Sequence, residues 1–407
     1  MSTPFRPRSL YLFTIIFLLI SGTTASAQHE GGVTGGGTVG GSTSRPPTKP
    51  ATKPASKPTT TTPTSRKRTT PESTPKSTKS TTPTTPKTTE NADSYYQQGE
   101  TLYNEKKYRE ALDFYLRAIQ INPSMTSALY RAGWIYNDIE EFDSAAELLE
   151  RVIGLQPNYA AAHFELGYAY RKLQRYKEAF TSFSQAVRAK PDYASAHYEI
   201  GWILNEQKKY EDAIKSLRQA LSYRPDYAEA YNELGYALRY LDRDAESVQA
   251  YQRAIQLNPK MGLAYLGLAD LHFYNTRQYA EAAKAYKQGL ELRPNSANAQ
   301  YNLGWCYNDL ERYPEAIEEL KKAIRLQAKF PEAYNEMGYA LHQLRRYAEA
   351  VQQYQMAITQ KPDYPLAHYN LGVAYVALGN RNAALEQYRI LQRLDNARAT
   401  KLFVQIK

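Results

Sequence analysis

One pattern returns along most of this chain at a fixed spacing of 34 residues. Tyr198-Glu199-Ile200-Gly201-Trp202 is followed 34 residues later by Asn232-Glu233-Leu234-Gly235-Tyr236, Ala220 by Ala254, and Pro225 by Pro259. A period of this length makes each unit one supersecondary element that cannot bury its apolar surface alone and therefore stacks on its neighbours. The usual expectation of two or three closed domains for a chain of 407 residues lapses, because a stacked array grows without a single closed core.

Aligned on Gly-aromatic pairs and closing prolines, nine units begin at Ala92, Thr126, Ala160, Ala194, Ala228, Gly262, Ala297, Pro331 and Pro365. In the third unit His163, Leu166, Gly167 and Tyr170 stand at i, i+3, i+4 and i+7, one face of a first helix. Gly167 leaves room for a partner helix. Ala179, Phe183 and Ala186 form the matching face of a second helix, small residues flanking one large one, and Pro191 stops it.

These eight positions resemble the tetratricopeptide repeat, and the resemblance covers residues 92–396. It implies an all-α fold: a right-handed α-solenoid of about nine helix-turn-helix units over 91–396, with a capping helix over 397–407. The departures carry information. The sixth unit has one extra residue, expected in the turn near Asn275 and Gln278, and Ala269 in place of the glycine. The seventh has Ala328 where the closing proline belongs, and the ninth has Leu391 and Asn396 for the alanine and proline. Leu402, Phe403 and Ile406 are placed to cover the last exposed face, as an array end requires.

The resemblance also implies that first helices line a concave groove, exposing their second, fifth, ninth, twelfth and thirteenth positions. The ninth holds Trp134, Tyr168, Trp202, Tyr236, Trp305 and Tyr339, including every tryptophan of the protein; the twelfth holds Asn137, Arg171, Asn205, Arg239, Asn308 and His342. Trp/Asn units alternate with Tyr/Arg or Tyr/His units, interrupted at the sixth by Asp270 and Phe273. Large rings beside amides and guanidinium groups suit a peptide- or sugar-binding groove. The competing reading is that the rings pack between adjacent first helices and that the alternation records duplication of a two-unit block.

The first 90 residues read differently. Arg6 and Arg8, an apolar run over 10–20, and Ala25-Ser26-Ala27 have the layout of a signal peptide over 1–27, with an uncleaved anchor as the alternative. Residues 28–90 are glycine-rich, then rich in Thr, Pro and Lys; with so little apolar surface to bury, the sequence predicts a disordered linker. Residues 43–89 hold ten Lys/Arg against Glu72 alone, which suits either a spacer or a grip on an anionic envelope polymer. Residues 90–407 hold 39 basic and 39 acidic side chains, so the basic stripe that nucleic acid requires is not expected.

His163, His197 and His368 share one position of successive units and His272 holds another; a structural role is expected, with no metal, cofactor or catalytic centre. Cys306, the one cysteine, reads as a packed side chain. The expected function is a non-enzymatic protein-protein interaction scaffold that binds a protein or peptide segment in its groove, exported to the periplasm or secreted, in assembly at the cell envelope. The alternative is a wall or polysaccharide binder that uses the basic linker and the aromatic groove.

Overall fold

The computed structural model describes residues 91–407, and the signal peptide and linker expected over 1–90 lie outside the described residues. Nine helix pairs follow one another: α1 (Ala92–Asn104) with α2 (Tyr108–Ile121), α3 (Thr126–Asp138) with α4 (Phe142–Leu155), α5 (Ala160–Lys172) with α6 (Tyr176–Ala189), and α7 (Ala194–Glu206) with α8 (Tyr210–Tyr223). Then come α9 (Ala228–Tyr240) with α10 (Asp244–Leu257), α11 (Gly262–Asp270) with α12 (Tyr279–Leu292), and α13 (Ala297–Asp309) with α14 (Tyr313–Leu326). The last are α15 (Pro331–Gln343) with α16 (Tyr347–Gln360), α17 (Pro365–Ala377) with α18 (Arg381–Leu394), and the cap α19 (Asn396–Ile406). The nine expected unit starts are the first residues of the nine first helices.

In seven of the nine pairs a first-helix glycine faces a large side chain of the second helix. A Cβ on Gly167 would lie 2.8 Å from the Phe183 ring, and one on Gly201 would lie 2.6 Å from Leu217 Cγ. Phe183 and Leu217 have no exposed surface, and Ala179, Ala186, Ala213 and Ala220 pack beside them equally buried. The fifth-position rings clasp the residue that ends their own unit: Phe164 stacks on Tyr193, Tyr198 meets Tyr227, and Tyr301 meets Phe330, each at 4.9 Å. This contact fixes the exit angle of each pair toward the next.

The turn inside each unit uses a left-handed residue that the sequence does not advertise. Lys106, Glu140, Gln174, Lys208, Asp242, Arg277, Glu311 and Arg345 have φ between 55 and 65°, and only the ninth unit uses a glycine, Gly379. The strain, on the order of 1 kcal/mol each, is offset by closing the helix end. In the first unit Lys106 N–H donates to the Tyr103 carbonyl and Lys107 N–H to the Leu102 carbonyl, each at 2.9 Å.

The extra residue of the sixth unit is not in the turn, where the sequence reading put it. Three residues still separate the helices there, and α11 continues as a π turn over Leu271–Asn275. Glycines have moved with it. Ala269 takes the usual glycine position, while a Cβ on Gly267 would lie 2.4 Å from the Tyr251 ring and one on Gly289 would lie 2.6 Å from Leu266. The missing closing proline of the seventh unit changes little, since α14 ends at Leu326 with Gln327 N–H bonded to the Ala323 carbonyl. At the C-terminus Leu402 is fully buried against Gly372, Ile406 is buried, and Phe403 stays half-buried, stacked on Tyr388 at 5.0 Å.

Candidate functional site

First helices of successive units pack side by side, α3 on α5, α7 on α9, α9 on α11, α13 on α15 and α15 on α17, forming one continuous layer. The ninth-position rings on this layer are half-buried, and each meets the ring that opens the second helix of the preceding unit. Trp134 meets Tyr108 at 5.6 Å, Tyr168 meets Phe142 at 6.3 Å, and Trp202 meets Tyr176 at 5.9 Å. Further along, Tyr236 meets Tyr210 at 6.3 Å, Trp305 meets Tyr279 at 4.7 Å, and Tyr339 meets Tyr313 at 6.4 Å. Most of these contacts are edge-to-face, the geometry that the ring quadrupole favours. One side of every ring is thus locked between units and the remainder stays at the surface.

The twelfth position is turned toward the next unit. The Nδ2 of Asn137 donates to both the carbonyl and Oε2 of Glu165 at 3.0 Å; Asn205 does the same to Glu233, and Asn308 to Glu336 at 3.0 and 3.2 Å. These three amides are buried, Asn205 to 3% exposure, and their Oδ1 atoms have no partner among the described residues. In the intervening units Arg171 Nε lies 3.0 Å from Glu199 and Arg239 lies 3.2 Å from Asp270. His342 sits edge-on to Tyr347 at 5.0 Å, and burial lowers its pKa. The amides and guanidinium groups therefore hold one unit in register with the next.

The residues that sequence reasoning passed over are the carboxylates of the sixth position: Glu165, Glu199, Glu233 and Glu336. A signal was present. Glutamate stands at this position in four units, always 28 residues beyond an Asn or Arg of the twelfth position, one unit away. Burial raises the pKa of Glu165 against the lowering effect of the Asn137 hydrogen bond, and burial likewise raises Glu199 against the nearby Arg171 charge.

A carboxyl whose folded pKa is raised binds its proton more tightly in the native state, so its ionisation opposes folding once pH rises above the unfolded value, here the ordinary 4.5. Glu165→Gln keeps an acceptor for Asn137 and removes that opposition. Urea denaturation is expected to show the variant more stable than the parent at neutral pH, with the gap closing as pH falls toward 4.5. A gap that widens on acidification contradicts this assignment.

The other singled-out side chains are structural in place. His163, His197 and His368 each put Nε2 at 2.8–2.9 Å from the carbonyl of the preceding unit's closing proline, Pro157, Pro191 or Pro362. His272 Nδ1, in the π turn, lies 3.4 Å from Oγ1 of Thr276, the residue that caps it. Cys306 is fully buried, and burial, reinforced by Asp309, pushes its thiol up. Among the described residues no group of His, Cys, Asp and Glu is arranged to hold a metal, and no helix is long and apolar enough to cross a membrane.

Nine stacked helix pairs whose inner layer is bound unit to unit define an α-solenoid repeat protein. The chain belongs to the tetratricopeptide repeat family: repeat models described as "TPR repeat" match residues 201–239 and 338–379, and others described as "Tetratricopeptide repeat" match 92–125, 130–194, 228–261, 266–329 and 366–398. It is thereby a protein-interaction scaffold in class. No curated protein matches the sequence significantly. Among solved structures the chain is similar to "YrrB: a TPR protein with an unusual peptide-binding site", with 23% identity, 49% of this chain and 99% of that chain covered, and a TM-score of 0.40. It is also similar to MamA protein (22% identity, 42% and 92% covered, TM-score 0.39) and to Pseudomonas aeruginosa pilF (19%, 52% and 97%, TM-score 0.44).

Proposed function

We propose that this protein is an exported, non-enzymatic scaffold that holds an extended segment of a partner protein along its first-helix layer, in assembly at the cell envelope. The observation that carries the binding reading is the row of ninth-position rings, locked on one side and open on the other along six units. A rigid, amphipathic aromatic row offers contact area at little conformational cost. Export rests on the sequence alone, on Arg6, Arg8, the apolar run over 10–20 and Ala25-Ser26-Ala27.

Photo-crosslinking side chains at exposed or half-exposed first-helix positions 127, 195, 229 and 298 should trap a discrete partner in cells. The same probe at exposed second-helix positions 219, 253 and 287 should not. Crosslinks arising only from the second-helix positions sink the groove reading. Export has its own test: the mature protein should begin at Gln28, and a mature chain that retains residue 1 removes the cleaved-signal reading.

A further inference from the structure

At the boundary of the fourth and fifth units a third ring joins the ring pair. Tyr240, the last residue of α9, stacks on Tyr210, the first residue of α8. Their centroids lie 5.0 Å apart and their planes are within 9° of parallel. Tyr236 closes the cluster, 4.8 Å from Tyr240 and 6.3 Å from Tyr210. Polar side chains hold the position of Tyr240 in six other units: Asn104, Asp138, Lys172, Glu206, Asp309 and Gln343. Tyr274 has it in the sixth, where the π turn sets its hydroxyl against Asn302.

Tyr240 is 49% exposed, a large ring at a place that most units keep polar. A local rule broken at one surface point marks that point for function. A free stacking face is not what the ring offers. Tyr210 stacks on it, and the Arg239 guanidinium lies 5.0 Å over its centre. With its faces engaged, the ring meets solvent chiefly through its edge and its hydroxyl. That edge carries the carbons ortho to the hydroxyl, where a phenoxyl radical places much of its unpaired electron.

Other tyrosine pairs are as close but differently held. Tyr130 and Tyr159 lie 5.0 Å apart, Tyr198 and Tyr227 4.9 Å, tilted by 36 and 41°, and all four rings are half-buried. Tyr240 ends its helix, and an exposed side chain there rotates fast enough to bring edge to edge. Burial first, and then Tyr240, raise the pKa of Tyr210, so its ring enters as the neutral phenol.

We propose that Tyr210 and Tyr240 form an oxidative cross-linking site, in which hydrogen peroxide used by a haem peroxidase joins the rings as dityrosine. Each phenol gives up one electron and one proton. The two radicals then pair their electrons in a new bond between one ortho carbon of each ring. The hydrogen on each of those carbons leaves as a proton and each oxygen takes one up, which restores two phenols. Hydrogen peroxide accepts the two electrons and two protons and becomes two waters, so the protein loses two hydrogen atoms. The bond staples the fourth unit to the fifth, in a chain whose single cysteine, Cys306, permits no internal disulfide. This site goes beyond the scaffold reading and does not depend on it.

Because the chain has 36 tyrosines, dityrosine fluorescence alone does not locate the bond, and the linkage itself is mapped. The full chain, dilute, is treated with hydrogen peroxide and a haem peroxidase, and proteolytic peptides of the monomer are analysed by mass spectrometry. A 210–240 linked peptide, two hydrogens lighter than its parts, should exceed any 130–159 or 198–227 linkage about tenfold, since proximity and edge access coincide there. Tyr210→Phe and Tyr240→Phe, which keep the stack and remove one hydroxyl, should each abolish it. Tyr223→Phe, at a ring 45% exposed that meets His197, should leave its yield unaltered. The linked monomer should unfold at a higher urea concentration than Tyr240→Phe treated alike, because the bond closes a loop in the unfolded chain.

A linkage of Tyr240 to Tyr236 in place of Tyr210, linkages spread evenly over the three pairs, or coupling only between molecules overturns the proposal. A urea midpoint equal to that of the treated Tyr240→Phe variant overturns it as well, since the bond would then staple nothing.

Discussion

Phe183→Ala is expected to lower the unfolding free energy by about 4 kcal/mol, read as a shift of the urea midpoint at unchanged slope. Phe183 has no exposed surface and fills the space above Gly167, so truncation removes a whole ring from a packed interior and leaves a cavity. The same geometry fixes the sign of a second change. Gly167→Ala in the parent puts a Cβ 2.8 Å from the Phe183 ring, and overpacking of that kind costs about 1–3 kcal/mol. In the Phe183→Ala background the ring is gone, and the same alanine gains helix propensity of about 1 kcal/mol and fills part of the void. The two substitutions should therefore be strongly non-additive, the double variant more stable than the Phe183→Ala single. Additivity would show that glycine and ring are not packed as described.

The second large effect is expected at the junction of the fifth and sixth units. Both inter-unit ladders change there. Asp244 and Asp270 occupy the two positions that hold a ring pair at six other junctions, and Gly267 stands where the fourth and fifth units have glutamate. In their place Arg239, only 11% exposed along its side chain, pairs with Asp270, which also accepts the Tyr286 hydroxyl at 2.6 Å. Asn275 from the π turn bridges the Arg239 carbonyl and Asp244 Oδ1, each at 3.1 Å. The two large buried apolar clusters, 111–250 and 251–374, divide within α10, the helix that leads into this junction.

Arg239→Met should cost about 2 kcal/mol, less than a fully buried pair because Asp270 is about a third exposed. Arg239→Met/Asp270→Asn, which removes both charges and keeps an acceptor for Tyr286, should recover most of that loss. Since a solenoid holds together through nearest-neighbour contacts, the single variant should also turn one denaturation transition into two. A single transition, with single and double variants equally destabilised, would dismiss the junction as the weak point.

The periodic part of the structure was legible because it is local. His163, Leu166, Gly167 and Tyr170 repeat at helical spacing with a 34-residue return, and that is enough to place every first helix. The left-handed residue of the inner turn was not legible: lysine, glutamate and arginine hold it in six units, glutamine and aspartate in two more, and no residue type announces it. The extra residue of the sixth unit could be counted but not located, since a π turn and a longer loop use the same number of residues.

The candidate site divides in the same way. The ring row and the alternating Asn/Arg row were visible as a pattern on one face, and their residue types suggested a ligand. Their partners lie one unit away, Asn137 on Glu165 and Arg171 on Glu199, and only stacking brings them together. What the sequence by itself determined is the repeat, its helices and the face that each residue occupies, because these follow from spacing within a single unit. What only the tertiary structure decided is which residues of that face are already bound to the neighbouring unit and which remain outward. That depends on how successive units approach one another, a distance that the period does not encode.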